Sequence, residues 1–426
     1  MNRKFLACTV SAAALSIGVA TAAMAATTTL NGGGSTLAQP TYTQEFNTYT
    51  SSAPTVLFSY DGVGSGGGTS AFLNNNIALF NSPTNQYGTI VGTTVDFGAS
   101  DAYLSSSQVT STGGYTLSAT DGPLIQLPMF GTPITFPFVN AGLTTKVGSK
   151  KAPGLTITDA QMCGILSGQI TNWSQLSSKA TAGTIEVAYR SDGSGTTFLL
   201  TQHLNAVCTA SNSSFPAYPV PVTKTFTQLF TGGTVPATFT GESGSALVQS
   251  YLLATPLSFG YLSPDYTSIA PKSPNTSSLA VASVVNGINN TAYQPTYDNT
   301  NIGLEHPGPG STNATPPSTP TTAADPLLWV PAVPQTNSGY SVVGYTNWFI
   351  SSCYASTTAG SDIDNFLTKH FGTKSYQTII ENNGFSPLSS TAAAPYVAQI
   401  QNIFLTNKSG YNLNIDGSEC SAYAGR

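Results

Sequence analysis

Apolar positions fall into distinct regimes along this chain. The first is a run from Phe5 to about Ala20, preceded by Asn2, Arg3 and Lys4 and followed by Ala23-Met24-Ala25. A short positive start, an apolar core and a small-x-small triplet make an export leader, so residues 1–25 are expected to be removed. The run is too short to span a bilayer, and no later stretch approaches the ~20 uninterrupted apolar residues of a membrane helix. Cys8 precedes the apolar core instead of following it, which argues against a lipid anchor there. The chain is therefore expected to be periplasmic or secreted.

The second regime repeats a short apolar run, a Gly-rich turn and a helical pattern. Leu30 leads into Asn31-Gly32-Gly33-Gly34-Ser35-Thr36, and the segment after it carries Tyr42, Phe46 and Tyr49 at the i, i+4, i+7 spacing of one helix face. Thr55 to Tyr60 reads as a strand running into Gly62-Val63-Gly64-Ser65-Gly66-Gly67-Gly68. Ile185 to Tyr189 is a strand entering Arg190-Ser191-Asp192-Gly193-Ser194-Gly195-Thr196-Thr197, followed by a helix with Leu200, Leu204 and Val207 on one side. Asp159 to Gly168 reads as a helix capped by Thr158. This punctuation predicts an α/β fold with Gly-rich turns feeding helix starts.

From about Tyr266 to Gln335 the periodicity fades. Six prolines fall within residues 305–326, and the stretch is expected to be an irregular surface excursion anchored by Trp329 and Val330. Regular structure should resume with Tyr340 to Ile350 and a helix around Asp362 to Phe371.

Composition sharpens this picture. Charged residues are 7% of the chain, against about a quarter in ordinary soluble domains, while hydrophobic residues reach 40%. Such a chain can bury a core and is not a disordered polyelectrolyte. At 426 residues, two lobes are the natural expectation. Without Arg3 and Lys4 the 13 basic residues fall to 11, against 18 acidic ones. Residues 5 to 145 hold no Lys or Arg, so nucleic acid is excluded as a partner, since it needs clustered cations. Cys163, Cys208, Cys353 and Cys420 remain after the leader, an even count that favours two disulfides in an exported chain. Three pairings are open. Cys163–Cys208 with Cys353–Cys420 is preferred because each closes a loop within one half. His203, His306 and His370 are scattered and no CxxC exists, so no metal site or cofactor is expected. Asn412 to Gly417 imitates the start of a calcium loop, but Tyr423 stands where its last ligand, a Glu, would be.

The distribution of arginine carries the most chemistry. After the leader only Arg190 and Arg426 occur, and Arg190 opens a strand-to-helix corner. A helix start presents unpaired N–H groups and the positive end of its dipole, an anion site. Ser194, Thr196 and Thr197 add hydroxyls there, Gly193 and Gly195 allow close approach, and Asp192 can hold the guanidinium. Gly33 to Leu37, Gly64 to Gly67 and Phe97 to Asp101 offer similar equipment without positive charge. Asp101 should repel an anion unless that anion still carries a proton. It would accept a hydrogen bond from a P–OH, whereas fully ionised sulfate would meet it lone pair to lone pair. Taken singly, each feature has a plainer role: a Gly-rich turn as a turn, Arg190–Asp192 as a structural ion pair, Asp101 as a helix cap.

Taken together, these segments resemble the phosphate-binding proteins that serve phosphate ABC transporters. Arg190 to Thr197 resembles that family's phosphate loop, and Asp96 to Asp101 and Ile170-Thr171-Asn172-Trp173 are similar to further signatures. Asn31 to Leu37, Gly62 to Gly66, Phe259 to Asp265, Gly344 to Asn347 and Thr368 to Gly372 resemble its DING branch, as do the four cysteines. Thr29-Leu30 stands where that branch has its name-giving Asp-Ile, and the Pro-rich 305–326 segment is unlike most relatives. The resemblance implies a two-lobed, class II Venus-flytrap fold with the ligand in the interlobe cleft. Residues 26–130 plus 338–426 would form the first lobe, and 131–337, including the 266–335 excursion, the second. It further implies a phosphate held by Thr36, Leu37, Ser65, Asp101, Arg190, Ser194, Gly195 and Thr196, with Asp192 orienting Arg190. It implies a monomer whose partners are phosphate and permease subunits.

Other classes fit less well. Gly62-x-Gly64-x-x-Gly67 follows a strand as in dinucleotide-binding folds, but no acidic residue lies between Asp61 and Asp96 to take a ribose. A secreted hydrolase lacks G-x-S-x-G, and no base is placed for Ser194 or Ser65. The expectation is a binding protein and not an enzyme. Weak phosphatase turnover, or a scavenging, adhesion or signalling role, stands as the alternative.

Overall fold

The computed structural model describes residues 27–82, 85–147 and 150–426, and the expected leader at 1–25 lies outside them. Two mixed sheets organise the chain into a two-lobed α/β fold. The first has seven strands in the order Ser386–Pro387, Leu124–Pro133, Val343–Ser351, Phe97–Ser100, Thr28–Gly34, Val56–Asp61 and Gln86–Tyr87. The second has five, in the order Phe239–Glu242, Glu186–Arg190, Ser258–Gly260, Pro137–Phe138 and Ala280–Val281. The chain leaves the first sheet after Pro133 and rejoins it at Val343.

Every residue of Leu124–Pro133 and of Val343–Ser351 is buried. A strand covered on both faces has no exposed side, so neither segment alternates apolar with polar positions, and Gln126, Thr346 and Asn347 are buried with the rest. Tyr42, Phe46 and Tyr49 are all buried on one face of the helix Gln39–Ser52, as their spacing requires. Phe46 stacks on Phe58 at 4.4 Å between centroids, and Trp348 stacks on Phe97 at 4.3 Å. The helix Asp159–Ser167 starts in a capping box of Thr158 and Gln161 and stops at Gly168.

The 266–335 stretch is more ordered than expected. It contains the strands Ser283–Asn286 and Thr291–Tyr293, which form a three-stranded sheet with Thr156–Ile157, and a helix, Tyr297–Glu305, capped by Thr296. These elements are too short for a periodic signal to emerge from the surrounding Pro, Ser and Thr. The Pro-rich part is tied down by side chains. Asn313 donates to the carbonyls of Leu327 and Val330, Tyr396 donates to the carbonyls of Asn313 and Thr315, and fully buried Trp329 packs 4.7 Å from Phe404.

Cys163 pairs with Cys208 and Cys353 with Cys420, the preferred connectivity. Beside the second bridge, Arg426 is buried and makes three side-chain hydrogen bonds and one ion pair. Nε reaches Ser351 Oγ at 2.8 Å and Asp121 Oδ2 at 3.3 Å, Nη1 reaches the Val95 carbonyl at 2.7 Å, and Nη2 reaches the Phe72 carbonyl at 3.0 Å. The guanidinium lies 4.0 Å over the Phe72 ring. Arg426→Ala leaves Asp121 buried without its cation and should cost about 3–5 kcal/mol in urea unfolding. A cost below ~1 kcal/mol would mean that the clasp is open in solution.

Candidate anion-binding site

Strand ends build the site. Thr28–Gly34 runs parallel to Val56–Asp61 and to Phe97–Ser100, so Gly34, Asp61 and Ser100 finish on the same edge of the first sheet. The chain turns there through Ser35, Thr36 and Leu37 into the helix Gln39–Ser52. Beside it, the helix Gly64–Leu73 begins with Ser65 in its first turn, and Asp101 follows Ser100 directly. In the second sheet Glu186–Arg190 runs parallel to Phe239–Glu242 and to Ser258–Gly260. Its exit loop reaches the helix Gly195–Val207, whose cap is Ser194, with Ser194 Oγ accepting the Thr197 N–H at 3.2 Å. Sites at the carboxyl ends of parallel strands are the rule in open α/β sheets.

These edges face each other closely. The Gly66 N–H donates to the Gly193 carbonyl at 2.7 Å. A Cβ on Gly195 would fall 2.4 Å from Ser65 Oγ and 2.5 Å from Asp101 Oδ2, so only glycine allows this approach. Thr36, Leu37, Ser65, Asp101, Arg190, Ser194, Gly195 and Thr196 are all buried. Ser65, Asp101 and Gly195 meet in one cluster across the two sheets, and Thr36 and Arg190 meet through Ser245. Ser194 and Thr196 flank Gly195 at the helix start, and Leu37 follows Thr36.

Arg190 carries the positive charge of the site. Its Nε and Nη2 grip the two Asp192 oxygens at 2.6 and 2.5 Å, and Asp192 Oδ1 also accepts the Gly244 N–H at 3.0 Å. Burial works against a guanidinium, but the Asp192 carboxylate outweighs it and holds Arg190 above its ordinary value. Burial likewise works against the Asp192 charge, yet Arg190 holds that carboxyl below its usual range. Tyr261 OH accepts the Arg190 backbone N–H at 3.0 Å and lies 2.7 Å from Thr197 Oγ1, fixing the corner from below.

Asp101 sits opposite. Ser35 Oγ donates to its carboxylate, at 2.7 Å from Oδ1, and Ser65 Oγ lies 3.4 Å from Oδ2. Burial pushes the Asp101 carboxyl up to about 6, with the Ser35 hydroxyl and the Arg190 charge pulling the other way. Asp101 caps no helix, since the next helix, Ser106–Val109, is capped by Ser105. Thr196 Oγ1 is buried and has no hydrogen-bond partner among the described residues. An enclosure of this kind offers hydroxyl and N–H donors, one forked cation with its counter-ion, and one acceptor.

Three contributors escaped the sequence. Ser35 stands in an expected cradle, but it serves Asp101. Tyr261 lies in the Phe259 to Asp265 segment that carries the resemblance, but nothing in its local sequence signals a part in the Arg190 corner. Ser245, fully buried, touches Thr36 and Arg190 from the start of the helix Ser245–Ala254. Gly241-Glu242-Ser243-Gly244-Ser245 is another Gly-rich turn after a strand, and that pattern was its available signal.

Comparison with known proteins gives a consistent result. A family model described as a PBP superfamily domain matches residues 19–304. Alkaline phosphatase L of Pseudomonas aeruginosa is 35% identical over 417 residues, covering 95% of this chain and 97% of that protein. The solved structure of PfluDING, a high affinity periplasmic phosphate-binding protein bound with phosphate at pH 8.5, superposes with a TM-score of 0.75 at 31% identity, covering 94% of this chain and 99% of the other. A phosphate binding protein from Stenotrophomonas maltophilia gives a TM-score of 0.71 at 30% identity, covering 94% and 99%. The family match and the relatives that align over nearly the whole length place this chain in the PBP superfamily, as a member of the phosphate-binding protein family in its DING branch.

Proposed function

We propose that this chain captures one inorganic hydrogen phosphate between its two sheets and performs no covalent chemistry on it. The observation that carries this reading is Asp101, a buried acceptor set among donors, so close to Gly195 that a Cβ there would fall 2.5 Å from Oδ2. In this reading Thr36 gives its hydroxyl and N–H, Leu37 its N–H, and Ser65 its hydroxyl and N–H. Arg190, Ser194, Gly195 and Thr196 supply the opposing donors, and the unpaired Thr196 hydroxyl finds its partner in the anion. Asp192 orients Arg190, and Asp101 accepts the phosphate proton. Relatives titled as phosphate binders support this ligand.

The lobes in this reading are 26–130 with 338–426, and 131–337. The protein is exported by a cleaved leader and works as a monomer in the periplasm or outside the cell. It delivers phosphate to ABC permease subunits or scavenges it. Two disulfides fit an oxidising compartment, and no helix among the described residues is long and apolar enough to cross a membrane.

The name of the Pseudomonas aeruginosa relative favours a second reading, weak phosphomonoester hydrolysis. The histidines do not support it. His203 pairs with Asp159 at 3.0 Å, His370 with Glu45 at 2.9 Å, and His306 Nδ1 lies 2.9 Å from the Ile302 carbonyl. None of these contacts places a base at Ser194 or Ser65. The close fit around Gly195 also disfavours an ester oxygen carrying an organic group.

Calorimetric titration after refolding should give micromolar or tighter phosphate binding and no sulfate heat, and a folded protein without phosphate binding would end this reading. Arg190→Ala should weaken phosphate at least ~100-fold, because the other donors are neutral. Asp101→Asn should raise sulfate affinity by about 100-fold or more, since an amide can donate where the carboxylate cannot. In the unmutated protein sulfate should become a better competitor as pH falls through about 6, where Asp101 takes up a proton. Sulfate competition that stays flat from about pH 7.5 to about pH 5, a window that brackets the Asp101 titration, would remove the role given to Asp101. Turnover of a chromogenic phosphomonoester should fall away through successive purification steps. Activity that stays with the protein and is lost in Ser194→Ala would establish the second reading instead.

A further inference from the structure

We infer that Ser245 is a positioning residue for the anion, one that aims the Thr36 hydroxyl and ties it to Arg190 across the cleft. The inference rests on the phosphate reading above and adds a residue to it. Glu242 pairs in register with Arg190, and the Ser191 N–H donates to the Glu242 carbonyl at 3.0 Å, so loop 243–245 leaves the sheet beside the Arg190 loop. Gly244, at φ +80°, turns the chain there, a conformation that an L side chain would strain. Its N–H is the donor that secures Asp192. The helix Ser245–Ala254 then begins with Ser245 at the junction of the two sheets.

The contacts of Ser245 have a direction. Arg190 Nη1 can only donate, so at 3.3 Å it donates to Ser245 Oγ. The Ser245 N–H likewise donates to Thr36 Oγ1 at 3.3 Å. Ser245 Oγ and Thr36 Oγ1 lie 3.0 Å apart, and either could donate to the other. With Arg190 feeding Ser245 Oγ, the favourable order is for the Ser245 proton to go to Thr36. Both lone pairs of Thr36 Oγ1 are then occupied by Ser245, and its single proton is left to point at the anion. The chain runs from Arg190 Nη1 through Ser245 Oγ to Thr36 Oγ1 and then to a phosphate oxygen, each bond polarising the next. Thr36 and Arg190 lie on opposite sheets, so the same hydroxyl is a closing contact that an opening cleft must break.

The test is stopped-flow phosphate binding and release with the full chain. Ser245→Ala should release phosphate about 10-fold faster, with association little changed and the unliganded protein still folded. Thr36→Val should also weaken binding, and adding Ser245→Ala to it should cost nothing further, because Ser245 acts through Thr36. Ser245→Cys keeps the volume but is a poor hydrogen-bond partner, so it should release phosphate faster as well, and it serves if the alanine variant does not fold. Release unchanged in the folded variants, or additive losses in the double variant, would overturn the inference while leaving phosphate binding intact. Failure of the unmutated protein to bind phosphate would instead remove the reading on which it rests.

Discussion

Arg190 is almost wholly buried, and a guanidinium in that position is tolerable only because a carboxylate two residues away holds it by a two-pronged grip. Much of the site follows from that pair. The grip uses Nε and Nη2 and sets the guanidinium plane, so Nη1 is the group left to face the cleft, where it donates to Ser245 Oγ. Asp192 must itself be held, and the Gly244 N–H does this, which brings a second loop of the same sheet to the cleft. A Cβ on Gly64 would fall 2.4 Å from Asp192 Oδ2, so the pair also sets how near the first sheet can come. Removing either partner would leave an uncompensated charge in a chain with few other charges to replace it.

Distant anchors keep the donor-bearing helices in place. The helix Gly64–Leu73 presents Ser65 at its start, and near its other end the Phe72 carbonyl is held by Arg426. The helix Gly195–Val207 presents Gly195 and Thr196 at its start and ends at Cys208, which is bridged to Cys163 in the helix Asp159–Ser167. Each donor set thus sits on an element pinned at its far end, by a hydrogen bond from a buried guanidinium in one case and by a covalent bond in the other. Donors held in this way need little ordering when an anion arrives, which is where affinity from neutral groups is gained.

Much of this was legible because the chain marks its corners with glycine after apolar runs, at Gly32 to Gly34, Gly62 to Gly68 and Gly193 to Gly195. The helix face of Tyr42, Phe46 and Tyr49 was equally plain, since that spacing keeps all three on one side of a helix, whereas on a strand the third would point the opposite way. What escaped is held by long-range contact. Arg426 meets Phe72, Val95, Asp121 and Ser351, residues remote from it in sequence, and nothing near it in the chain announces a clasp. Ser245 was hidden for a different reason. Glu242 puts a carboxylate into its turn, which weighs against an anion corner, yet in the folded chain Glu242 accepts the Ser191 N–H through its backbone and its side chain takes no part in that bond. The ordered part of 266–335 was missed because strands of three or four residues are too brief for alternation to show.

The scarcity of charge also bears on how selection can work here. A cavity lined by several lysines would attract phosphate and sulfate alike, and would discriminate by charge alone. In the proposed site the single cation is largely neutralised by Asp192, and the remaining donors are hydroxyls and backbone amides, which serve any tetrahedral oxyanion equally well. Discrimination then falls to the one group that cannot donate. Asp101, buried and pushed up to about 6, still bears its charge at neutral pH, so an incoming anion must bring a proton to it or leave two sets of lone pairs opposed. Ser35 occupies part of that carboxylate with its own hydrogen bonds, and this keeps the acceptor ionised and aimed despite its burial. A weakly charged surface around such a cleft gives little long-range attraction to anions, so capture should depend on the fit inside the site far more than on ionic strength outside it.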